Sequence, residues 1–277
     1  MNPSYPIFVP TKGRYDSLLT IKALEAIKVP YTAVIEKQEY ANYAAVMDKR
    51  KLLVLPHQNQ GLTITCNWIW DYAQNELKAP YFWTMDDNIR GFYRLNRNMK
   101  YRVDSGTFLK IMEDFAERYT NLYISGMQYE MFVPRKKKHN PVILNTRVYS
   151  NMLIKTDIPF RNVTFYNDDT DLCLRVLKAG YCTLLFCAFL ADKIQTMVVK
   201  GGMTDYYKKT NERKQFAEEL QRAHPDVVEV VWKYNRWHHK VDYSPFKRNK
   251  LILKPGIEIP AGVNEYGMKL VKLDGED

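Results

Sequence analysis

Short apolar runs alternate with amphipathic stretches over the N-terminal third of the chain. Residues 5–9, 31–35 and 51–55 are apolar and bounded by turn formers, which predicts strands. Residues 16–26 and 40–47 have apolar positions at helical spacing, and Asp16 is the predicted N-cap of the first helix. A further helix carries Ile64, Trp68, Ile69 and Tyr72 on one face. This alternation predicts an α/β fold with a mostly parallel sheet, right-handed crossovers and flanking helices.

The most apolar of these runs, residues 80–85, ends abruptly at Asp86, Asp87 and Asn88. It has the length and composition of a buried strand. In open α/β sheets the ligand site lies beyond the carboxyl ends of the strands, and hard oxygen ligands there suit Mg²⁺ or Mn²⁺ holding a diphosphate. An Asp-Asp pair is also common in plain turns. We predict that Asp86, Asp87 and Asn88 are metal ligands, with Asp86 also contacting the nucleotide.

The second half of the chain is less regular. Apolar residues from Phe108 to Tyr119 at helical spacing predict an amphipathic helix, and a second helix follows Asp168 and stops at Gly180. Strands are predicted at 122–124, 129–133, 151–154 and 181–189, and a helix at 212–223. No repeat or low-complexity linker divides the chain. We therefore expect a single domain, with a catalytic core over residues 1–205 and a helical, basic and aromatic extension over residues 206–277 packed on it.

Composition narrows the class of protein. The 277 residues are 46% hydrophobic and 26% charged, which is typical of a globular protein. No stretch approaches the roughly 20 apolar residues of a membrane span, and the N-terminus has no secretory signal pattern. The four cysteines form no Cys-x-x-Cys pair, so we expect reduced thiols and a cytoplasmic protein. The net charge of +10 favours a polyanionic partner such as nucleic acid, unless it serves solubility alone.

Three carboxylates lie within four positions at 168–171. Helix capping and the helix dipole account for one or two of them. A carboxylate fixed at a helix N-terminus, facing a metal-diphosphate, is also well placed as a general base on an incoming hydroxyl. Asp168 and Asp169 are therefore candidate catalytic residues, with capping alone as the alternative.

Two loops are candidates for phosphate contact. The first strand is followed by Pro10, Thr11, Lys12, Gly13 and Arg14, where glycine permits close approach and the basic side chains meet phosphates. Glu36, at the tip of the second strand, is placed to bind ribose hydroxyls. Lys200, Gly201 and Gly202 form a later loop whose amides suit phosphate. Ordinary turns with solvated bases are the alternative in each case.

Taken together, the motifs resemble a GT-A glycosyltransferase, which has a Rossmann-type sheet. These motifs are the Pro-Thr-Lys-Gly-Arg loop, the Glu after strand two, Met-Asp-Asp-Asn at 85–88, and Asp-Asp-Thr-Asp-Leu-Cys-Leu-Arg at 168–175. The first acid cluster is similar to the Asp-x-Asp metal motif of that fold, with Asn88 in the third position. The second is similar to the segment carrying the base of inverting members, which puts Asp169 at the base and Asp168 in place of the usual Glu.

Within that fold the chain resembles the TET-associated glycosyltransferases of bacteriophages, which are implicated in adding sugars to oxidised 5-methylcytosines in DNA. The late Lys-Gly-Gly-Met at 200–203 adds to this resemblance. It implies a UDP-sugar donor, with UDP-glucose first among them, Mn²⁺ or Mg²⁺, and DNA containing 5-hydroxymethylcytosine. No obligate protein partner or membrane is implied, and a phage-encoded member would work in the host cytoplasm. Gly61 and Asn67 join the predicted nucleotide-sugar site. Many GT-A enzymes also use a late metal-binding His, which is missing between His139 and His224.

Basic residues interleaved with aromatic residues follow the metal motif and recur near the C-terminus. Such mixtures supply phosphate contacts and stacking surfaces for bases, and an aromatic rim suits a base flipped out of the helix. The predicted nucleic-acid contacts are Arg94, Arg97, Arg135, Lys136, Lys137, Lys138, Arg236, Trp237 and His238. Protein or glycan acceptors, a non-catalytic nucleic-acid-binding protein and a nucleotidyltransferase remain the alternatives.

Overall fold

A computed structural model describes residues 1–194, 212–259 and 261–269 of the chain. The strands are β1 Ile7–Pro10, β2 Thr32–Ile35, β3 Leu52–Val54, β4 Tyr81–Met85, β5 Ile89–Asn96, β6 Met99–Arg102, β7 Leu122–Tyr129, β8 Val142–Leu144, β9 Asn151–Lys155, β10 Cys182–Lys193, β11 Val228–Lys233 and β12 Arg236–Val241. The α-helices are α1 Leu19–Ala26, α2 Tyr40–Ala44, α3 Leu62–Asp71, α4 Thr107–Glu117, α5 Asp168–Lys178 and α6 Glu212–Ala223.

Ten of these strands form one sheet in the described residues, in the order β3-β2-β1-β4-β9-β7-β10-β5-β6, with β8 also paired to β10. Strands β1 to β4 are mutually parallel, as are β7 and β10. Strand β9 runs antiparallel to both β4 and β7, and β5 and β8 run antiparallel to β10. All the other strands of the sheet share one direction. The predicted α/β fold with a mostly parallel sheet is confirmed.

Strand β4 explains why the sheet is covered on both sides. Its side chains alternate between faces, and all five are buried. Tyr81, Trp83 and Met85 pack with α1 and α4 on one face, whereas Phe82 packs with α3 and α5 on the other. A continuous apolar run such as residues 81–85 is therefore typical of a central strand that is covered on both faces. The carboxylates that follow it stand at the open edge between the two helical layers.

Three local predictions are wrong. Residues 129–133 do not form a separate strand, because β7 continues through Gly126 to Tyr129 and a 3-10 turn follows at Glu130–Phe132. Gly126 therefore lies inside the strand and does not end it. Glycine is required at this position because a Cβ would meet the carbonyl oxygen of Asn151 at 2.2 Å. Helix α1 begins at Leu19 after a left-handed Leu18, so Asp16 is not its N-cap. Ile64 is exposed, and α3 instead buries Thr63, Thr65, Ile69 and Trp70.

The C-terminal residues add a helix and a β-hairpin to the α5 side of the sheet. Leu220 of α6, Val228 of β11 and Phe246 pack against Leu174 and Leu177 of α5. The predicted boundary at residues 205 and 206 lies outside the described residues. All four cysteines are free thiols, as predicted. Within the described ranges, no helix combines the length and apolar character that crossing a membrane requires.

Candidate active site at the carboxyl edge of the sheet

The sheet topology brings the two acidic clusters to one edge. Asp86 follows the carboxyl end of β4, and Asp168 begins α5, which packs on the same sheet. Asp86 and Asp169 are both close enough to Asp168 for their charges to raise its pKa. Burial is the larger cause, and together these effects raise the pKa of Asp168 to about 7. Segments that are far apart in sequence therefore form a single acidic centre.

Asp86 is held by a largely buried ammonium group. Lys193, the last residue of β10, places Nζ 2.6 Å from Asp86 Oδ2 and 2.6 Å from Ser150 Oγ. The same Nζ donates to the hydroxyl of Tyr129 at 3.1 Å. The side chain of Asp86 remains about one-third exposed, at 35%, which leaves it accessible from solvent. Asp86 thus presents a carboxylate to solvent while a fixed cation compensates part of its charge.

Asp87 faces the loop after β1 instead. Thr11 Oγ1 donates to its Oδ2 at 2.9 Å, and the guanidinium of Arg14 pairs with its Oδ1. Tyr43 lies 2.8 Å from the hydroxyl of Thr11 and so supports this contact. Burial raises the pKa of Asp87 to about 6 although Arg14 opposes the shift. Because protein donors engage both oxygens of Asp87, its role as a metal ligand stays a prediction.

Asn88 offers an unsatisfied oxygen. Its side chain is buried, and Oδ1 has no hydrogen-bond donor among the described residues. Across residues 1–194, 212–259 and 261–269, no group of three or more His, Cys, Asp or Glu side chains is arranged to hold a metal ion. Mg²⁺, however, is commonly bound by only one or two protein oxygens together with substrate phosphates and water. Asp86 and Asn88 fit that donor set.

The loop at residues 10–14 is fixed by neighbouring acids. Lys12 Nζ lies 2.8 Å from Glu36 Oε2, and the amide of Gly13 donates to both carboxylate oxygens of Glu39 at 2.8 and 3.0 Å. Burial opposes ionisation of Glu36, but the hydrogen bonds from Lys12, the Asn59 amide and Gln38 outweigh it and lower its pKa. Pro10 ends β1 itself. Lys12, Gly13 and Glu36 therefore stand together at the ends of β1 and β2, and their contacts with a nucleotide stay a prediction.

Gly61 and Asn67 have packing roles in the structure. Gly61 precedes α3 with φ of 90°, and a Cβ there would meet the ring of Phe165 at 2.8 Å. The amide of Asn67 exchanges hydrogen bonds with the backbone of Asn162, donating at 2.8 Å and accepting at 3.0 Å. Cys66, between them on α3, lies near Asp168 and Asp86, where burial and these carboxylates raise its thiol pKa. One side of α3 therefore borders the acidic centre.

The first turn of α5 separates its carboxylates into different environments. The cap position belongs to Asn167, which is left-handed, and not to Asp168. Asp169 Oδ1 accepts from the amide of Thr170 at 2.6 Å and from its hydroxyl at 3.1 Å. Asp169 is therefore oriented through one oxygen, and no donor is recorded for its other oxygen in the described part of the chain. This is an arrangement that suits a general base.

Asp171 is structural. It is fully buried, and Arg175 Nε lies 3.0 Å from both of its oxygens. The imidazole of His224, which directly follows α6, donates from Nε2 to Asp171 Oδ1 at 2.8 Å. This triad ties α6 to α5. The third carboxylate of the cluster is therefore explained by packing, which the sequence pattern alone did not reveal.

Several residues of the site were missed from the sequence. Arg147, before β9, lies beside Thr170 and Asp169 and stacks on the ring of Tyr149 at 4.4 Å. Tyr149 contacts the ring of Tyr129 at 4.4 Å, and Tyr129 in turn contacts Lys193. Two cations thus flank the acidic centre, with Arg147 near Asp169 and Lys193 on Asp86. The one available signal was a lysine closing the long apolar strand β10.

The predicted nucleic-acid contacts fall on two surfaces. Arg94, Arg97 and Arg135–Lys138 are exposed, and Asn98 at the β5–β6 turn bonds the carbonyl oxygens of Arg135 and Lys137, so these residues form one basic surface. Arg236, Trp237 and His238 lie on the separate β11–β12 hairpin, beside exposed Trp232 and Tyr234. Lys200, Gly201 and Gly202 lie outside the described residues.

A mostly parallel α/β sheet with acids at its carboxyl edge is the architecture of GT-A-like glycosyltransferases, and the fold predicted from that resemblance is confirmed. The sequence profile of the TET-associated glycosyltransferase family matches residues 5–202, well over half of the chain. The chain belongs to this family. A search of curated proteins gave no match. One solved structure, mannose-6-phosphate isomerase from Helicobacter pylori, aligns with 8% identity over 91% of this chain and 94% of that chain, and its TM-score of 0.29 is too low to indicate a shared fold.

Proposed function

We propose that the chain is a metal-dependent inverting glycosyltransferase that moves glucose from UDP-glucose to the hydroxyl of 5-hydroxymethylcytosine in DNA. The observation that carries this proposal is the single acidic centre formed by Asp86, Asp168 and Asp169 at the carboxyl edge of the sheet. Membership in the TET-associated glycosyltransferase family supports the reaction class and suggests a modified-DNA acceptor.

In the proposed reaction, Asp169 takes the proton of the hydroxymethyl group. The acceptor oxygen forms a bond to the anomeric carbon while the bond from that carbon to the β-phosphate oxygen breaks, and UDP departs with the electron pair. One displacement from the opposite face inverts the anomeric carbon. Asp169 suits this role because Thr170 orients one of its carboxylate oxygens.

The donor diphosphate requires positive charge. Asp86 and Asn88 would hold Mn²⁺ or Mg²⁺, which when bound stabilises the charge that develops on the leaving diphosphate. Lys193 keeps Asp86 oriented from the protein side. Lys12 and Glu36, at the ends of β1 and β2, would border the nucleotide. Lys200, Gly201 and Gly202, which lie outside the described residues, are predicted from the sequence to contribute backbone amides.

The acceptor is proposed to be DNA because of the two basic surfaces. Arg94, Arg97 and Arg135–Lys138 would contact phosphates, and the aromatic residues of the β11–β12 hairpin would stack on bases. The reacting base would leave the duplex to reach the acidic centre. DNA affinity should then fall steeply as salt is raised.

The test is incubation with Mn²⁺, a panel of UDP-sugars and duplex DNA containing 5-hydroxymethylcytosine, followed by nucleoside mass spectrometry. We expect a hexose-shifted nucleoside that disappears with Asp169→Asn and persists with Asp157→Asn, an exposed carboxylate paired with Lys155. Donor turnover without a DNA product would move the acceptor to protein or glycan. Release of pyrophosphate would indicate nucleotidyl transfer, and no turnover would favour a binding protein.

A further inference from the structure

Arg147 occupies an unusual position beside the proposed base. It lies in the segment between β8 and β9 and approaches the first turn of α5, where Nη1 is 3.5 Å from Thr170 Oγ1. That hydroxyl donates to Asp169 Oδ1 at 3.1 Å. The charge of Asp169 opposes the effect of burial on the guanidinium and leaves the pKa of Arg147 raised. Arg147 is thus a cation outside α5 that faces Asp169.

Two rings restrict where the guanidinium of Arg147 can go. Its Cζ lies 4.4 Å from the centre of the Tyr149 ring, which is a cation–π contact. Tyr149 is itself buried and packs edge-on against Tyr129 at 4.4 Å. Because the ring under Arg147 is fixed by its own neighbours, the guanidinium has little freedom to swing away from Asp169.

The remaining contact comes from the C-terminal hairpin. His239 of β12 places Nε2 3.3 Å from Arg147 Nη1. Burial and the charge of Arg147 lower the pKa of His239 to about 4, so the imidazole is neutral near pH 7 and Nε2 can accept from the guanidinium. His239 pairs with Val230 across the hairpin, whereas His238 pairs with Val231 on the other face.

We propose that Arg147 is a positioning residue for Asp169, and that the β11–β12 hairpin holds Arg147 in place through His239. The hairpin would then be part of the catalytic arrangement as well as a surface for DNA. This inference rests on the proposed role of Asp169 as the base. The β11–β12 hairpin, which would contact the DNA acceptor, would thereby also influence proton transfer to Asp169.

The functional test is the pH dependence of kcat/KM for sugar transfer to hydroxymethylcytosine DNA. Arg147 is a cation that faces the proposed base, so Arg147→Gln should move the acid limb of the profile to higher pH. Arg147→Lys should restore most of the wild-type profile. The charged and titratable groups that face Asp169 are Asp168, Arg147, Tyr149, Cys173, His239 and Tyr243.

Three further variants separate positioning from folding. Arg161 stacks on Trp70 at 4.5 Å and pairs with Asp71, away from the acidic centre, so Arg161→Gln should leave the pH profile unchanged. His239→Gln retains a side-chain acceptor and should behave like the wild type, whereas His239→Ala should move the acid limb in the direction of Arg147→Gln. An equal loss of rate at every pH for Arg147→Gln would overturn the proposal.

A measurement that needs no activity completes the test. Urea unfolding of Arg147→Gln, Asp169→Asn and the double variant forms a cycle for the contact between the two residues. We expect the double variant to unfold at a higher urea concentration than the summed single shifts predict, and strict additivity would overturn the proposal. If the wild type transfers no sugar, the proposed function fails, and the cycle still decides whether Arg147 and Asp169 interact.

Discussion

Two carboxylates in the first turn of α5 should respond differently to the same change. Asp171 is fully buried and is held by Arg175 at 3.0 Å and by His224 at 2.8 Å. In Asp171→Asn one oxygen becomes an NH₂ group that must face a donor. Hydrogen bonds to charged groups contribute about 1.5–3 kcal/mol, and breaking a buried ion pair costs about 3–5 kcal/mol. Because one acceptor oxygen remains, we expect the free energy of unfolding to fall by about 3 kcal/mol.

Asp169→Asn is the matched comparison. Its carboxylate is only partly buried, and the amide oxygen can still accept from Thr170. The contact with Arg147 loses one of its charges, so the free energy of unfolding should fall by about 1 kcal/mol, which is clearly less than for Asp171→Asn. The rate of sugar transfer should fall by about 10²–10⁴-fold, which is typical for loss of a general base. Urea unfolding followed by tryptophan fluorescence and single-turnover transfer assays measure the two effects.

A result for either variant can contradict the assignment of Asp171 to stability and Asp169 to catalysis. An Asp171→Asn protein that unfolds at the wild-type urea concentration would show that the buried triad contributes no stability. An Asp169→Asn protein that is destabilised but transfers sugar at the normal rate would assign Asp169 to the fold. Asp171→Asn should retain the wild-type rate per folded molecule, because Asp171 points away from the acidic centre toward α6.

Three other predictions follow from buried contacts. The pKa of Asp168 in the folded state is raised to about 7, so ionising this carboxyl group disfavours the folded state. The free energy of unfolding should therefore fall as the pH rises from about 4 to 7. In Asp168→Asn, the urea midpoint should change less with pH over that range. Gly126→Ala would push a Cβ to 2.2 Å from the carbonyl oxygen of Asn151, so we expect a loss of at least about 1–3 kcal/mol in thermal unfolding. Glu113→Ala leaves two backbone amides and an indole N–H unpaired, which should cost at least about 3 kcal/mol in urea unfolding; wild-type stability would contradict this.

Local pattern was sufficient for the elements and for the acids at their ends. The apolar run of β4 and the spacing in α5 predicted a buried strand and an amphipathic helix, and both are present. A carboxylate that follows a buried strand can be placed from the sequence, because the strand must end where the chain reaches solvent at the edge of the sheet. The proposed contacts of Asp86 and Asp169 with substrate remain predictions.

The partners of those acids were not predictable in the same way. Lys193 and Asp86 are 107 positions apart, and His224 and Asp171 are 53 apart. Periodicity reports which face of an element is apolar, but it does not give the order of strands in a sheet. The order β4-β9-β7-β10 is what brings Ser150, Tyr129 and Lys193 beside Asp86. Long-range packing, and not local preference, therefore decides the charge balance of the site.

The position of β10 in the sheet has a consequence for biosynthesis. Strand β5 leaves the acidic edge directly after Asn88 and pairs with β10 on one side, so it lacks that neighbour until residues 182–193 have been made. At about 5–20 residues per second the ribosome needs several seconds to cover that interval. During it the β5–β6 hairpin presents an open strand edge, which is where nascent chains associate wrongly. A chaperone that is present during translation should therefore raise the soluble yield more than the same chaperone added after release.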